Sequence, residues 1–162
     1  MKKLLFGFLL LVLTISANAQ FSGNNIITSS SLNIKDVYSA DLNNDGKMDI
    51  ISASQDDNKI AWYENLGNGS FSSQYIITTD AVRPRSVYAS DLDGDGDLDV
   101  LSACYDAGLD VHVAWYENLG NNTFGVQQII SNSGATRYSN SVYAADLDGD
   151  GDQDVVSSTN VI

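Results

Sequence analysis

Short stretches of alternating apolar and polar residues recur along the chain and predict β-strands. In one of them, Val87 and Ala89 fall on one side of an extended strand, and Tyr88 and Ser90 fall on the other. A short, mostly apolar stretch that begins with Val100, 100–103, comes after an acidic loop. Downstream of the N-terminal segment, no window carries a convincing helical period. The pattern therefore predicts an all-β protein.

The same unit occurs three times. An acidic loop of the form D-x-[DN]-x-D-G-x-x-D begins at Asp41, Asp91 and Asp146, so the units repeat every 50 to 55 residues. A second element, A-W-Y-E-N-L-G-N, occurs at 61–68 and 114–121 and is typical of a strand followed by a turn. Four antiparallel strands per unit at this period predict β-propeller blades.

The strand pattern also predicts boundaries within the blades. The first two strands of each unit flank the acidic loop. The third strands are expected at 59–64 and 111–117, and the fourth at 71–77 and 124–130. The aromatic residues of these segments are expected to fill the space between blades rather than bind a sugar. They are Trp62, Tyr63, Phe71, Trp115, Tyr116 and Phe124.

The first nineteen residues have the features of a bacterial-type secretory signal peptide. Lys2 and Lys3 precede an apolar stretch of about twelve residues, which is shorter than the roughly twenty needed to span a bilayer. Cleavage after Ala19 leaves Gln20 at the new terminus. We therefore expect a secreted or cell-surface protein that is not inserted in the membrane after signal cleavage.

The remaining residues, 20–162, divide into units of roughly 21–78, 79–131 and a truncated 132–162. They amount to about 2.7 units, whereas closed propellers typically have four to eight blades. The expectation is an incomplete ring and an N-terminal piece of a longer protein. Assembly of several short chains into one ring is the alternative.

Charge and cysteine content favour a cation as the ligand. The chain has 21 acidic and 8 basic residues and a net charge of −13, which argues against nucleic acid and anionic membranes as partners. Thirteen of the acidic residues lie in the three acidic loops. With Cys104 as the only cysteine, no intramolecular disulfide braces an exported fold.

Each acidic loop is predicted to bind one structural Ca²⁺. An isolated Asp/Gly run is usually only a turn, but all three loops have a carboxylate or amide at positions 1, 3, 5 and 9, with glycine at position 6. Calcium takes roughly six to eight oxygen ligands in flexible geometry, which suits such loops better than magnesium. The candidate ligands are Asp41, Asn43, Asp45, Lys47 and Asp49 in the first loop, Asp91, Asp93, Asp95, Asp97 and Asp99 in the second, and Asp146, Asp148, Asp150, Asp152 and Asp154 in the third.

The first loop adds two details to the ligand set. Position 7 is expected to contribute its backbone carbonyl, because Lys47 occupies it and a cationic side chain cannot be a ligand. The side chains of Asp97 and Asp152 are therefore expected to face water. Because Asn43 replaces a carboxylate, the first loop is expected to bind the ion more weakly.

An EF-hand or dockerin loop shares the first six positions, but the residues after position 9 exclude it. Such a loop needs a carboxylate at position 12 and a succeeding helix. Here position 12 is Ser52, Ser102 and Ser157, and β-prone residues surround it.

Together, the acidic loop, the strand after it and W-Y-E-N-L-G-N-x-x-F resemble the FG-GAP repeat, also called the VCBS repeat. This repeat occurs in integrin α-subunit propellers and in many secreted bacterial proteins. The resemblance covers nearly all of residues 21–162. It implies a propeller, commonly of seven blades, with a calcium loop between the first two strands of a blade. The calcium positions of the family fall on the candidate ligands of the three loops.

Two functional classes fit these features. One is a secreted calcium-binding scaffold for protein or polysaccharide binding or adhesion. The other is an accessory propeller of a secreted polysaccharide-degrading enzyme whose catalytic part lies beyond residue 162. No catalytic residue is expected: His112 is the sole histidine, Cys104 aligns with small strand residues, and Glu64 and Glu117 recur in W-Y-E-N as structural residues.

Overall fold

The regular structure of the protein is entirely β-strand in the residues that the computed structural model describes, 26–105, 113–131 and 137–161. The predicted signal peptide, residues 1–19, and His112 lie outside these residues. Within them, no helix is long and apolar enough to cross a membrane. The predicted all-β class is confirmed.

The first blade contains a four-stranded antiparallel sheet and a small hairpin. Its strands are β1 (Ile34–Ala40), β2 (Asp49–Ser54), β3 (Lys59–Tyr63), β4 (Asn65–Gly67), β5 (Ser70–Phe71) and β6 (Tyr75–Thr78). The sheet has the order β1-β2-β3-β6, so its strands pair in the order of the chain. In the chain, the separate hairpin of β4 and β5 comes between β3 and β6, the third and fourth strands of the sheet.

The second blade repeats this sheet, and the third contributes its first two strands. The strands are β7 (Pro84–Ser90), β8 (Asp99–Cys104), β9 (Val113–Tyr116), β10 (Gln128–Ser131), β11 (Arg137–Ala145) and β12 (Asp154–Val161). The order in the second sheet is β7-β8-β9-β10, and β11 pairs with β12. The same register recurs in each unit: Tyr38, Tyr88 and Tyr143 of the first strands lie opposite Ile51, Leu101 and Val156 of the second. The expectation of four-stranded propeller blades is confirmed.

The predicted start of the fourth strand is wrong. Phe71 lies in β5 and Phe124 in an isolated bridge, and the sheet strands β6 and β10 begin four residues later. The backbone N–H of Ser72 donates to the carbonyl of Glu64 at 2.8 Å. This bond closes a tight loop before the chain re-enters the sheet. The third strands agree with prediction to within one residue at the ends that the structure describes.

The core of the protein lies between blades rather than inside any one of them. Ile51 and Trp62 of the first blade are buried in a cluster with Val87, Val100 and Tyr116 of the second. A second cluster joins the next pair of blades and contains Leu101, Ala103, Val113, Val142 and Ala144. Because neighbouring blades supply opposite sides of each cluster, the prediction that aromatic residues fill the space between blades is confirmed for Trp62 and Tyr116.

The first strands of the three blades lie side by side. Tyr38 and Tyr88 have ring centroids 4.8 Å apart, and Tyr88 and Tyr143 have centroids 4.6 Å apart. Contacts of β7 with both β1 and β11 place these strands innermost in the array. The loop after each first strand therefore emerges at the same end of the molecule.

One repeated valine shows how much burial a neighbouring blade provides. Val37, Val87 and Val142 occupy the same position in β1, β7 and β11. Val87 is 2% exposed and Val142 is 4% exposed, whereas Val37 is 60% exposed. The valine is buried only where a preceding blade covers it.

This comparison yields a matched pair of variants. We expect Val87→Ala to lower the free energy of unfolding by about 2 kcal/mol, because it removes two methyl groups from a packed interface. Val37→Ala should change it by less than about 0.5 kcal/mol. Urea denaturation in dilute solution measures both values, and equal losses would contradict the packing of Val87 between blades.

Candidate metal centre

Three acidic loops join the first two strands of the blades at one end of the molecule. They span 41–48, 91–98 and 146–153, and position 9 of the motif is the first residue of the second strand. Each loop therefore begins where an innermost strand ends, and its last ligand position belongs to the neighbouring strand of the same sheet. Both ends of the loop are held by the sheet.

The turn of each loop depends on two left-handed residues. Glycine at position 6 has φ between 83° and 100°, as the sequence predicts. Position 4 is also left-handed, with φ of 57° at Asn44, 78° at Gly94 and 82° at Gly149. Sequence reasoning missed position 4. Its signal was the presence of Asn or Gly there in all three copies, since these residues tolerate positive φ best.

The carboxylate at position 1 is fixed by backbone N–H groups of its own loop. Asp91 accepts from Gly94 at 2.8 Å through Oδ1 and from Gly96 at 3.1 Å through Oδ2. Asp146 accepts the corresponding bonds in the third loop at 2.6 and 3.1 Å. Because both oxygens are oriented by the turn, the loop holds this carboxylate at its centre.

In the first two blades, the aspartate at position 9 is buried and connects the loop to the chain after the third strand. Asp99 accepts from the backbone N–H of Leu92 at 3.0 Å and from that of Asn118 at 2.8 Å. Asp49 makes the same two bonds in the first blade, at 3.1 and 2.8 Å. Both aspartates are fully buried, and burial raises the pKa of each carboxyl, to which neighbouring loop carboxylates add. A cation in the loop favours their charged form.

The asparagine of W-Y-E-N supports the loop from outside, a role that sequence reasoning did not assign. Asn118 donates through Nδ2 to the carbonyl of Leu98 at 3.0 Å and to that of Leu42, in the preceding blade, at 2.9 Å. Asn65 donates to the carbonyl of Met48 at 3.0 Å. The sequence signal for this role was that the asparagine recurs at the same place in both copies of W-Y-E-N. The neighbouring glutamates, expected to be structural, take part through backbone bonds, such as that between Ser72 N–H and Glu64.

In the second and third loops, three of the predicted side-chain ligands converge. Carboxylate oxygens from positions 1, 3 and 9 all lie within 4.8 Å of one another. The residues are Asp91, Asp93 and Asp99 in the second loop, and Asp146, Asp148 and Asp154 in the third. Position 5 is not part of this converging set; Asp95 and Asp150 accept the N–H of position 7 through Oδ1 at 2.8 and 2.9 Å.

The first loop has a different electrostatic arrangement. Its position 3 is the neutral Asn43, and within the described part of the chain only the other two loops contain a cluster of three acids. Lys47 Nζ lies 2.6 Å from Asp45 Oδ2. The hydrogen bond from Lys47 lowers the pKa of the Asp45 carboxyl. A metal ion at this loop would compete with Lys47 for the Asp45 carboxylate.

The side chains of Asp97 and Asp152, both at position 7, differ in their surroundings. Asn44 Nδ2 of the first loop donates to Asp97 Oδ1 of the second loop at 2.7 Å. Asp97 is half-buried, and besides water it contacts the adjacent loop, a contact that the sequence does not predict because it forms only when adjacent blades pack. Asp152 is exposed, as expected.

A polar cavity lies between the second and third loops. It has a volume of about 540 Å³, and Asp91, Asp93, Asp152 and Gln153 are among the residues that line it. Ser90 Oγ donates to Gln153 Oε1 at 3.3 Å across this boundary between blades. The acidic loops thus form a continuous polar surface at one end of the array.

A variant of the supporting asparagine tests its role. We expect Asn118→Ala to lower the free energy of unfolding by about 2 kcal/mol, since two backbone carbonyls lose their donor in a buried place. Asn65→Ala removes one exposed bond to a carbonyl. It also removes the turn bond to its Oδ1, which Asn118→Ala loses equally, so the cost attributable to the carbonyl contact should be about 1 kcal/mol or less. Thermal unfolding followed by circular dichroism compares the two. A larger loss at Asn65 than at Asn118 would contradict the contact between blades.

Comparisons with known proteins agree with the repeat architecture. The family model of the FG-GAP-like repeat matches this chain twice, over residues 41–102 and 91–157. No curated protein sequence gives a significant match. Among solved structures, an Agrocybe aegerita lectin that recognises non-reducing terminal N-acetylglucosamine is similar, with a TM-score of 0.55 and 19% identity over 78% of this chain and 34% of the lectin. The chain therefore spans about a third of the lectin, and with two repeat matches over most of its length it belongs to the FG-GAP-like repeat family.

Proposed function

We propose that this chain is a calcium-stabilised β-propeller scaffold that is exported and binds a protein or a polysaccharide. The convergence of the position 1, 3 and 9 carboxylates within 4.8 Å in two successive loops carries the metal part of this proposal. Three anionic groups at such distances repel one another in the absence of a cation. The donor set is entirely oxygen, which matches a hard cation.

In the second loop, Asp91, Asp93 and Asp99 would hold the ion together with Asp95 and the backbone carbonyl of Asp97. The third loop offers the equivalent residues, and water completes roughly six to eight ligands in each. Bound calcium supplies positive charge that offsets the loop carboxylates. The first loop would bind more weakly, through Asp41, Asn43, Asp45, Asp49 and the carbonyl of Lys47.

Two variants of the third loop compare a predicted side-chain ligand with an aspartate whose side chain is not a predicted ligand. We expect Asp148→Ala to remove one calcium ion from the stoichiometry, because position 3 belongs to the converging set. Asp152→Ala, at exposed position 7, should leave the stoichiometry unchanged, since only its carbonyl is assigned to the ion. Isothermal titration calorimetry measures both variants, and magnesium in place of calcium should bind more weakly.

Thermal unfolding provides a second readout of the same sites. Millimolar calcium should stabilise the protein by about 1 kcal/mol for each full site, and excess chelator should therefore lower its melting temperature. If Asp148→Ala and Asp152→Ala bind the same number of calcium ions, or if chelator leaves the melting curve unchanged, the proposal of structural metal sites in these loops is excluded.

The binding part of the proposal is supported by the fold. Propellers present loops on a rigid array of sheets, and the similar lectin is a sugar-binding protein. The polar cavity of about 540 Å³ beside the second and third loops is a place where such a ligand has room. Polysaccharide and protein arrays probed in calcium test the proposal, and an absence of any ligand on both would count against it.

The proposal includes export and assigns no catalysis to this chain. Residues 1–19 have the signal-peptide pattern, and mass spectrometry of the exported protein should show a chain that begins at Gln20. Cys104 is buried in β8 beside Ser102, which does not suit a nucleophile that must reach substrate. An accessory propeller of a secreted polysaccharide-degrading enzyme is the alternative, in which the partner domain performs the chemistry.

A further inference from the structure

One side-chain hydrogen bond joins the first acidic loop to the second. Nδ2 of Asn44, at position 4 of the first loop, donates to Oδ1 of Asp97, at position 7 of the second loop, over 2.7 Å. An amide that donates to a carboxylate makes a short and comparatively strong bond. The first and second blades each have all four strands of their sheet, so both partners of this bond lie on fully formed neighbours.

No equivalent bond joins the second and third loops in the described part of the chain. Position 4 of the second loop is Gly94, which has no side chain that could donate, and Asp152, at position 7 of the third loop, is exposed. Position 4 is left-handed in both cases, with φ of 57° at Asn44 and 78° at Gly94. Asparagine therefore meets the backbone requirement of the turn and adds a donor that glycine cannot supply.

Asp97 is half-buried and is restrained from several directions. Its backbone N–H donates to Asp95 Oδ1 at 2.8 Å, and its Oδ1 accepts from Asn44. Its Oδ2 lies against the turn after W-Y-E-N, where a Cβ added to Gly120 would be 3.7 Å away. The carbonyl of Asp97 is the atom assigned to the ion of the second loop. Restraints on the N–H and the side chain limit the rotations that would turn this carbonyl away.

We infer that Asn44 is a positioning residue for the calcium site of the second loop, and that the ion, once bound, ties the second blade to the first. The inference rests on the proposed function, since Asp97 contacts the ion through its carbonyl. Binding that orients Asp97 strengthens the bond from Asn44, and by linkage this bond strengthens calcium binding by the same factor. The third loop has glycine before it in place of Asn44, so its ion lacks this coupling to the preceding blade.

Asn44→Gly tests the inference, because it keeps the left-handed turn and removes the donor. It is made in the full chain, produced in an exporting host, with the third loop disabled by Asp148→Ala. Calcium should then bind the second loop about threefold more weakly, which is the scale of one modest hydrogen bond. Isothermal titration calorimetry measures the dissociation constant.

Asn68→Gly is the matched control in the same background. Asn68 is also exposed and left-handed, with φ of 54°, but it lies in the turn between β4 and β5, outside the acidic loops. The same exchange of asparagine for glycine there should leave the dissociation constant unchanged. Near-UV circular dichroism verifies that each variant is folded.

Two further readouts separate positioning from a merely structural bond. The rise in melting temperature that calcium causes should be smaller in Asn44→Gly than in Asn68→Gly, whereas a bond unconnected with the ion would lower the melting temperature equally with and without calcium. The weakening should also disappear when Asp97→Ala is already present, because a double-mutant cycle isolates the interaction of this pair.

Each result decides between the inference and the proposed function beneath it. Equal dissociation constants for Asn44→Gly and Asn68→Gly would overturn the inference and leave the calcium sites intact. Equal calcium-induced melting shifts, or a weakening that persists with Asp97→Ala, would do the same. If the unaltered chain binds no calcium, the proposed function fails and the inference fails with it.

Discussion

No blade of this protein can bury both of its faces alone, and the rest of the structure depends on this constraint. In the second blade, Val87 packs on the blade before it, and the next residue, Tyr88, packs on the blade after it while its ring also contacts Tyr38. Secondary structure forms within a blade, but the hydrophobic stabilisation arises between blades. Stability is therefore a property of adjacent pairs, and a single-residue change acts through the neighbour that covers it.

The acidic loops are hydrogen-bonded to the neighbouring chain at the end of each blade where the apolar packing ends. Asp99 accepts bonds from its own loop and from the chain after the third strand, so one buried carboxylate links the loop, the second strand and a segment 19 residues further along the chain. A buried anion with a raised pKa is costly in isolation. Further loop carboxylates lie close to it, and a bound cation would offset the repulsion among them. Charge and packing thus support each other at the same end of each blade.

The sequence predicted structure best where the conformation depends on a residue and its immediate neighbours in the chain. Alternation of residues such as Val87 and Tyr88 predicted the strands, and glycine at position 6 predicted the turn. It was less informative where a contact joins blades, because Asn44 reaches Asp97 and Asn118 reaches Leu42 only after the blades pack. The fourth strand began later than predicted because the bond between Ser72 and Glu64 overrides the strand preference around Phe71. Recurrence in each copy was the available signal for Asn65 and Asn118.

The unequal exposure of Val37 and Val87 has a consequence for cooperativity. In an open row, the number of interfaces is one fewer than the number of blades, and the two terminal blades are each held on one side only. Closure of such a row into a ring adds an interface without adding a blade. The terminal blades of an open row are accordingly the first to unfold locally, and ring closure removes this difference between terminal and interior blades.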